Sequence, residues 1–275
     1  MMMIGYFWLF LSGDPVCLPH TETLHLTSST NGQEYVIYLS LPRDFSGGPY
    51  PLIVTLDADY AFPMTHAAVE HFVDRGNLPA MIVASIGYPG QSQVQRVYRT
   101  HRTRDYTPTH SMEGGYGPAL QQYSGGGPKF AAFIRNELLP LLAKKYHANL
   151  QDTTFIGHSY GGLFGTYLML KHPGIFHKYL LVSPSLWYDD RMTLQTMADA
   201  ELQQTPTRVF LAVGSHEEQS NRGRGMVSDL KAFEAGLRAK NKGNFAISLV
   251  VFDDETHNSV FPGALSKGLR FLFQP

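Results

Sequence analysis

Gly157, His158, Ser159, Tyr160 and Gly161 make a G-x-S-x-G pentapeptide, with Gly162 directly behind it. A serine flanked two places away by residues without side chains suits a tight strand-to-helix turn, where the hydroxyl is presented in a strained, exposed position. The setting agrees. Residues 153–156 read as a short apolar strand leading in, and 163–171 as a helix leading out. At its own pKa a serine hydroxyl is a weak nucleophile and needs a base. In this kind of turn the partners follow in the chain order serine, acid, histidine. Of the 12 histidines, His257 lies after the last apolar strand and before the closing helix, where the base belongs, whereas His158 should point away from the serine. The acid belongs at the end of the penultimate strand. Glu217 is the candidate and Glu218 its rival, with a Ser–His pair lacking an acid as the remaining alternative. The N–H of Tyr160, next to Ser159, would face a developing oxyanion, and a second donor should come from Ala58 or Asp59 after the 51–56 strand.

The elements needed to position these groups are legible around them. Apolar runs at 51–56, 80–86, 153–156, 179–182, 209–213 and 247–252 have the habit of strands buried on both faces. They alternate with helical spacing at 64–74, 129–146, 163–171, 229–240 and 265–273. Segments 24–28 and 35–41, joined through Asn31-Gly32, read as an antiparallel hairpin. The order predicts an α/β-hydrolase fold with a mostly parallel central sheet flanked by helices. Periodicity fades over 87–128, which reads as a functional loop or lid. Within it Arg96, Arg99, Arg102 and Arg104 cluster, and Tyr98, Tyr106 and the later Trp187 lie on or near the same rim. Arg102, Arg104, Tyr106 and Trp187 are the candidate substrate-binding residues. They suit an anionic or aromatic small-molecule ester through charge pairing and cation–π contact. The bland alternative has Arg104 paired to a structural carboxylate.

Composition narrows the classes. The 275 residues carry a net charge of −1, which gives no reason to expect a nucleic-acid partner. No His-Glu-x-x-His or Cys/His spacing suggests a metal, and the chemistry needs no cofactor. One cysteine excludes an intrachain disulfide without identifying the compartment; the reading favours the cytoplasm and leaves the periplasm open. Residues 1–11 are apolar but too short for a bilayer span, so stable membrane insertion is not expected. The division is 1–20 as an apolar arm or signal remnant and 21–275 as the hydrolase domain.

From about Thr21 onward the chain resembles the Putative esterase family of esterase D-like α/β hydrolases. The likeness rests on Leu56-Asp57-Ala58, Arg102-Thr103-Arg104-Asp105-Tyr106-Thr107-Pro108, Gly157 to Gly162, Ser183-Pro184-Ser185-Leu186-Trp187 and His257. Two of these segments, around Arg104 and Trp187, look most like the branch of ferric enterobactin and salmochelin esterases, which hydrolyse the trilactone backbone of catecholate siderophores. The family also holds S-formylglutathione hydrolases, feruloyl esterases and mycolyl acyltransferases. Tyr160 and Leu163 stand where the first of these carry Met and His. The resemblance implies an ester hydrolase working through an acyl-enzyme on Ser159, with an acyltransferase, a thioesterase or a catalytically silent binding protein as alternatives.

Overall fold

A computed structural model describes residues 16–90, 95–219 and 225–274; the apolar run at 1–11 lies outside the described residues. Eight strands form one sheet: β1 (Thr21–Thr27), β2 (Glu34–Ser40), β3 (Tyr50–Thr55), β4 (Ile82–Gly87), β5 (Ala148–His158), β6 (Lys178–Val182), β7 (Thr207–Gly214) and β8 (Phe245–Phe252). Their order across the sheet is β1-β2-β4-β3-β5-β6-β7-β8. The β1–β2 and β2–β4 pairs are antiparallel, and every pair from β4 to β8 is parallel. Side-chain alternation divides the core into two layers. On β3, Leu52 and Val54 face one layer and Ile53 the other. This is why the central runs are apolar without interruption.

The helices are α1 (Ala58–Asp74), α2 (Gln95–Tyr106), α3 (Pro118–Gln121), α4 (Gly127–Phe133), α5 (Leu139–Tyr146), α6 (Tyr160–Lys171), α7 (Tyr188–Asp199), α8 (Met226–Lys240) and α9 (Val260–Phe273). The apolar face of α9 and the start of α1 share one layer, with Phe62, Val69, Phe261, Leu265 and Leu269 against Val83, Ile156 and Phe210. Phe130, Phe133, Leu142, Phe164, Leu168 and Phe233 of α4, α5, α6 and α8 fill the other. This is the α/β-hydrolase arrangement. Among the described residues no helix is long and apolar enough to cross a membrane.

Three departures from the sequence reading have physical causes. α1 begins at Ala58 rather than at 64: Pro63 lies inside it, removing one bond of the ladder without ending the helix. The 129–146 helix is interrupted by a π turn (Ile134–Leu138), since Pro140 has no N–H to continue the α ladder. The aperiodic 87–128 stretch contains α2, whose buried residues are Arg102, Thr103, Asp105 and Tyr106. A helix that turns a charged face inward leaves no apolar period to read.

The π turn also presents Glu137 to the β1–β2 connection. Its carboxylate accepts hydrogen bonds from Ser28 Oγ at 3.0 Å, from the N–H groups of Ser29 and Thr30 at 2.9 Å each, and from the Thr30 hydroxyl. Partial burial opposes the charge, but these donors outweigh it and hold the carboxyl at about 2, against an ordinary 4.5. A folded-state pKa below the unfolded one contributes stability above the unfolded value, which is lost as pH falls toward the folded value. E137Q is therefore expected to cost about 1–2 kcal/mol near neutrality. The gap to the wild type should close as pH drops from about 4.5 toward 2. Urea unfolding in neutral and acidic buffer measures both, and a gap that widens in acid would contradict the assignment.

Candidate active site

Strand β5 ends at His158, and Ser159 turns the chain at φ 60°, ψ −120° before α6 begins at Tyr160. Few residues other than glycine hold such a conformation unless their surroundings enforce it. Here the Ser159 N–H donates to Val182 O at 3.0 Å, and the Ser159 carbonyl accepts from Leu163 and Ser185 at 2.9 and 3.1 Å. The glycines are unequal in this turn. A Cβ on Gly157 would lie 2.3 Å from Gly161 O and one on Gly162 2.9 Å from Pro184 Cα, whereas one on Gly161 would meet Leu56 at 3.4 Å. Gly157 is therefore required by the backbone of the turn itself.

Glu217 sits in the 3-10 turn Ser215–Glu217 directly after β7, only 2 % exposed. Its Oε2 accepts the Nδ1–H of His257 at 2.6 Å, while Oε1 accepts from Ser183 Oγ at 2.6 Å and the Gly214 N–H at 2.7 Å. With Nδ1 carrying the proton, Nε2 of His257 keeps its lone pair. The loop bearing His257 is pressed against the end of β7. A Cβ on Gly214 would lie 2.3 Å from Glu255 O, and the His216 N–H donates to that same carbonyl at 3.1 Å. Glu218 points elsewhere: it accepts from the N–H and hydroxyl of Ser228 in the first turn of α8, and those donors lower its pKa.

Ser159 and His257 line one cavity of about 290 Å³, with Tyr60, Met64, Tyr98, Arg102, Tyr116, His158, Asn258, Phe261 and Pro262. The Ser159 hydroxyl rests 3.5 Å from Ser185 Oγ, and no hydrogen bond joins it to the imidazole. Such contacts commonly tighten only when substrate arrives. The amino ends of α1 and α6, which follow the neighbouring strands β3 and β5, lie side by side at this end of the sheet. Helix amino ends favour negative charge. The N–H of Asp57 meets Tyr106 Oη at 3.3 Å, and the N–H of Asp59 lies against its own carboxylate. Ala58 thus opens α1 with its amide engaged by neither of these groups.

The candidate substrate-binding residues separate. Arg102 does line the cavity, but it is 4 % exposed and gives two hydrogen bonds to Asp57, Nε to Oδ1 at 2.6 Å and Nη2 to Oδ2 at 2.9 Å. It also donates to Tyr116 Oη at 2.5 Å and to the His158 carbonyl at 3.3 Å. Burial opposes its charge, yet Asp57, Tyr98 and Tyr116 together raise its pKa above the ordinary guanidinium value. Arg104 lies off the cavity; Asp105 accepts from it at 2.7 and 2.8 Å, as does Gln33 at 2.5 Å, which is the structural pairing that competed with the binding role. Tyr106 is wholly buried beneath Asp57. Trp187 packs on Tyr160 with ring centres 6.1 Å apart and lines a separate groove with Ser111, Glu113 and Asp189. The sequence reading missed Tyr60, Met64, Tyr116 and Phe261 on the wall, and Asp57 behind it. The one available signal was proximity: Tyr60 and Met64 follow the Asp57 turn, and Phe261 opens the helix after His257.

A buried ion pair that loses one partner leaves an uncompensated charge, at a cost of about 3–5 kcal/mol. R102M should lose that much stability in urea unfolding, and D57N/R102M should recover much of it. If Arg102 served substrate alone, R102M would instead raise KM and leave unfolding unchanged.

The sequence profile of the Putative esterase family matches residues 28–242. The ferri-bacillibactin esterase BesA of Bacillus subtilis (strain 168) is 29 % identical over 273 residues, covering 94 % of this chain and 91 % of its own. The siderophore triacetylfusarinine C esterase of Aspergillus fumigatus is 27 % identical over 295 residues, covering 94 % and 95 %. The crystal structure of the BES protein from Bacillus cereus superposes with a TM-score of 0.81 at 27 % identity, over 97 % of this chain and all of the other (100 %). The profile match takes in the Ser159 turn and most of the cavity wall, the shared architecture extends over the rest of the chain including the His257 loop, and on that ground the protein belongs to the Putative esterase family of α/β hydrolases and is a hydrolase acting on esters.

Proposed function

We propose that the protein cleaves ester bonds of siderophores through an acyl-enzyme on Ser159, with His257 as base and Glu217 as the acid that orients it. The observation that carries the mechanism is the 2.6 Å hydrogen bond from His257 Nδ1 to a carboxylate sealed from water, on the wall that also holds Ser159. That bond sets the tautomer with Nε2 free to take the serine proton. Ser159 Oγ attacks the ester carbonyl as His257 accepts its proton. The negative oxygen of the tetrahedral intermediate is received by the N–H groups of Tyr160 and Ala58. Collapse breaks the bond to the alcohol oxygen, which leaves with the proton from His257. Water, deprotonated by the same imidazole, then attacks the acyl-serine, and the acid is released as the serine recovers its proton.

Substrate class is supported by the relatives named as siderophore esterases and by the cavity wall. Tyr60, Tyr98, Tyr116 and Phe261 offer ring faces and edges to an aromatic acyl arm. About 290 Å³ is at the small end for a ligand site, so one ester arm enters and the rest of a trilactone stays on the rim. Because Asp57 neutralises Arg102, an anionic substrate is met by charge outside, where Arg96 and Arg99 are exposed on α2.

S159A should abolish hydrolysis of short p-nitrophenyl esters, down to at most the roughly 10³–10⁴-fold enhancement that binding alone supplies. E217Q should lower kcat by roughly 10³–10⁴-fold, while E218Q stays within about twofold. Equal losses in the two glutamate variants would reject the assignment of the acid. In a panel of p-nitrophenyl, feruloyl and catecholate trilactone esters, the trilactone should have the largest kcat/KM. A preference for feruloyl esters would overturn the substrate class.

A further inference from the structure

His158 lies between the nucleophile and the loop of the base, and the proton transfers above leave it without a task. Its Nε2 is 2.9 Å from the backbone carbonyl of His257. A carbonyl only accepts, so the ring proton sits on Nε2. Nδ1 is then an acceptor, and the Tyr60 hydroxyl stands 3.0 Å from it. The same hydroxyl is 3.3 Å from Asp57 Oδ2, and its single proton serves only one of these two acceptors, the nearer being Nδ1. The His158 and His257 rings overlap at 4.7 Å between centres, and Phe261 backs His158 at 5.8 Å. Burial, then the neighbouring His257 and Arg102, push the pKa of His158 well below the ordinary imidazole value, in keeping with a neutral ring.

We propose that His158 is a positioning residue for the base: it anchors the backbone of His257 through Nε2–H and, through the Tyr60 hydroxyl at Nδ1, ties that loop to the first turn of α1. The proposal rests on the reading of Ser159 and His257 given above and extends it. Glu217 fixes the imidazole at one ring nitrogen only. A ring held at a single point still follows its own loop, and that loop is docked against the end of β7 through the Glu255 carbonyl and the Asp254 N–H. The contact from His158 is the one made to the backbone of the base itself, and it comes from the residue adjoining the nucleophile in the chain. Base and nucleophile therefore share a frame: a displacement of the 253–259 loop must break the Nε2–H bond before it can widen the gap to Ser159. Displacements on the order of 1 Å at a reacting group can cost about 10²-fold in rate.

H158F retains a ring of similar size and removes both hydrogen bonds. H158Q retains a side-chain N–H of comparable reach to Nε2. H158F is expected to lower kcat on p-nitrophenyl butyrate by roughly 10- to 100-fold, with KM within about threefold and fluorophosphonate labelling slowed in parallel. H158Q should recover most of that loss. A kcat for H158F within threefold of the wild type overturns the proposal, and so do equal losses in H158F and H158Q, which would mean that ring packing alone matters. Imidazole ¹⁵N spectra of the wild-type protein need no variant to fold: Nε2 of His158 should be protonated and Nδ1 not, and the opposite tautomer overturns the assignment. Loss of turnover in S159A together with an unimpaired H158F rejects this proposal alone. Turnover surviving in S159A rejects the reading beneath it as well.

Discussion

A guanidinium and a carboxylate, both almost sealed from water, hold this end of the molecule together. Burying either the Asp57 or the Arg102 charge alone would be costly, and each supplies what the other lacks. The pairing binds α2, which has scarcely any apolar face, to the turn after β3. From the same two side chains run bonds to Tyr98, Tyr116 and the carbonyl of His158. Two walls of the cavity and the residue before Ser159 are thus referred to one ion pair. Its bidentate geometry resists rotation in a way that a single hydrogen bond would not.

Around this anchor Ser159, Glu217 and His257 are over-determined. The Ser159 turn is strained, and the strain is held by hydrogen bonds from three different segments. Glu217 accepts three hydrogen bonds, with one oxygen on Ser183 and the Gly214 N–H and the other on His257. Gly214 lets the 253–259 loop approach β7 more closely than any side chain would permit. Preorganisation of this kind is what acyl transfer requires, because the donors facing an oxyanion help most when they need not reorganise as the charge develops.

The same network changes how charge is presented to a ligand. Four arginines in one neutral chain look like an anion-binding surface, yet Arg102 and Arg104 are each committed to a buried aspartate. What faces the serine is mainly aromatic.

α2 and α7 were not legible in the linear sequence, whereas the order of the strands, the serine at its turn and a histidine after the last strand were. Each depends on local rules: apolar runs buried on both faces, glycines where a side chain would collide, and a fixed chain order of partners. What remained open was settled between residues far apart in the chain. Glu217 and Glu218 are adjacent and chemically alike, and only the approach of the 253–259 loop to the end of β7 distinguishes them. Arg102 meets Asp57 across 45 positions and His158 meets the carbonyl of His257 across 99. No periodicity records such pairs, because a polar group buried against a polar partner satisfies hydrogen bonds and charge, while hydropathy patterns register only the removal of apolar surface from water.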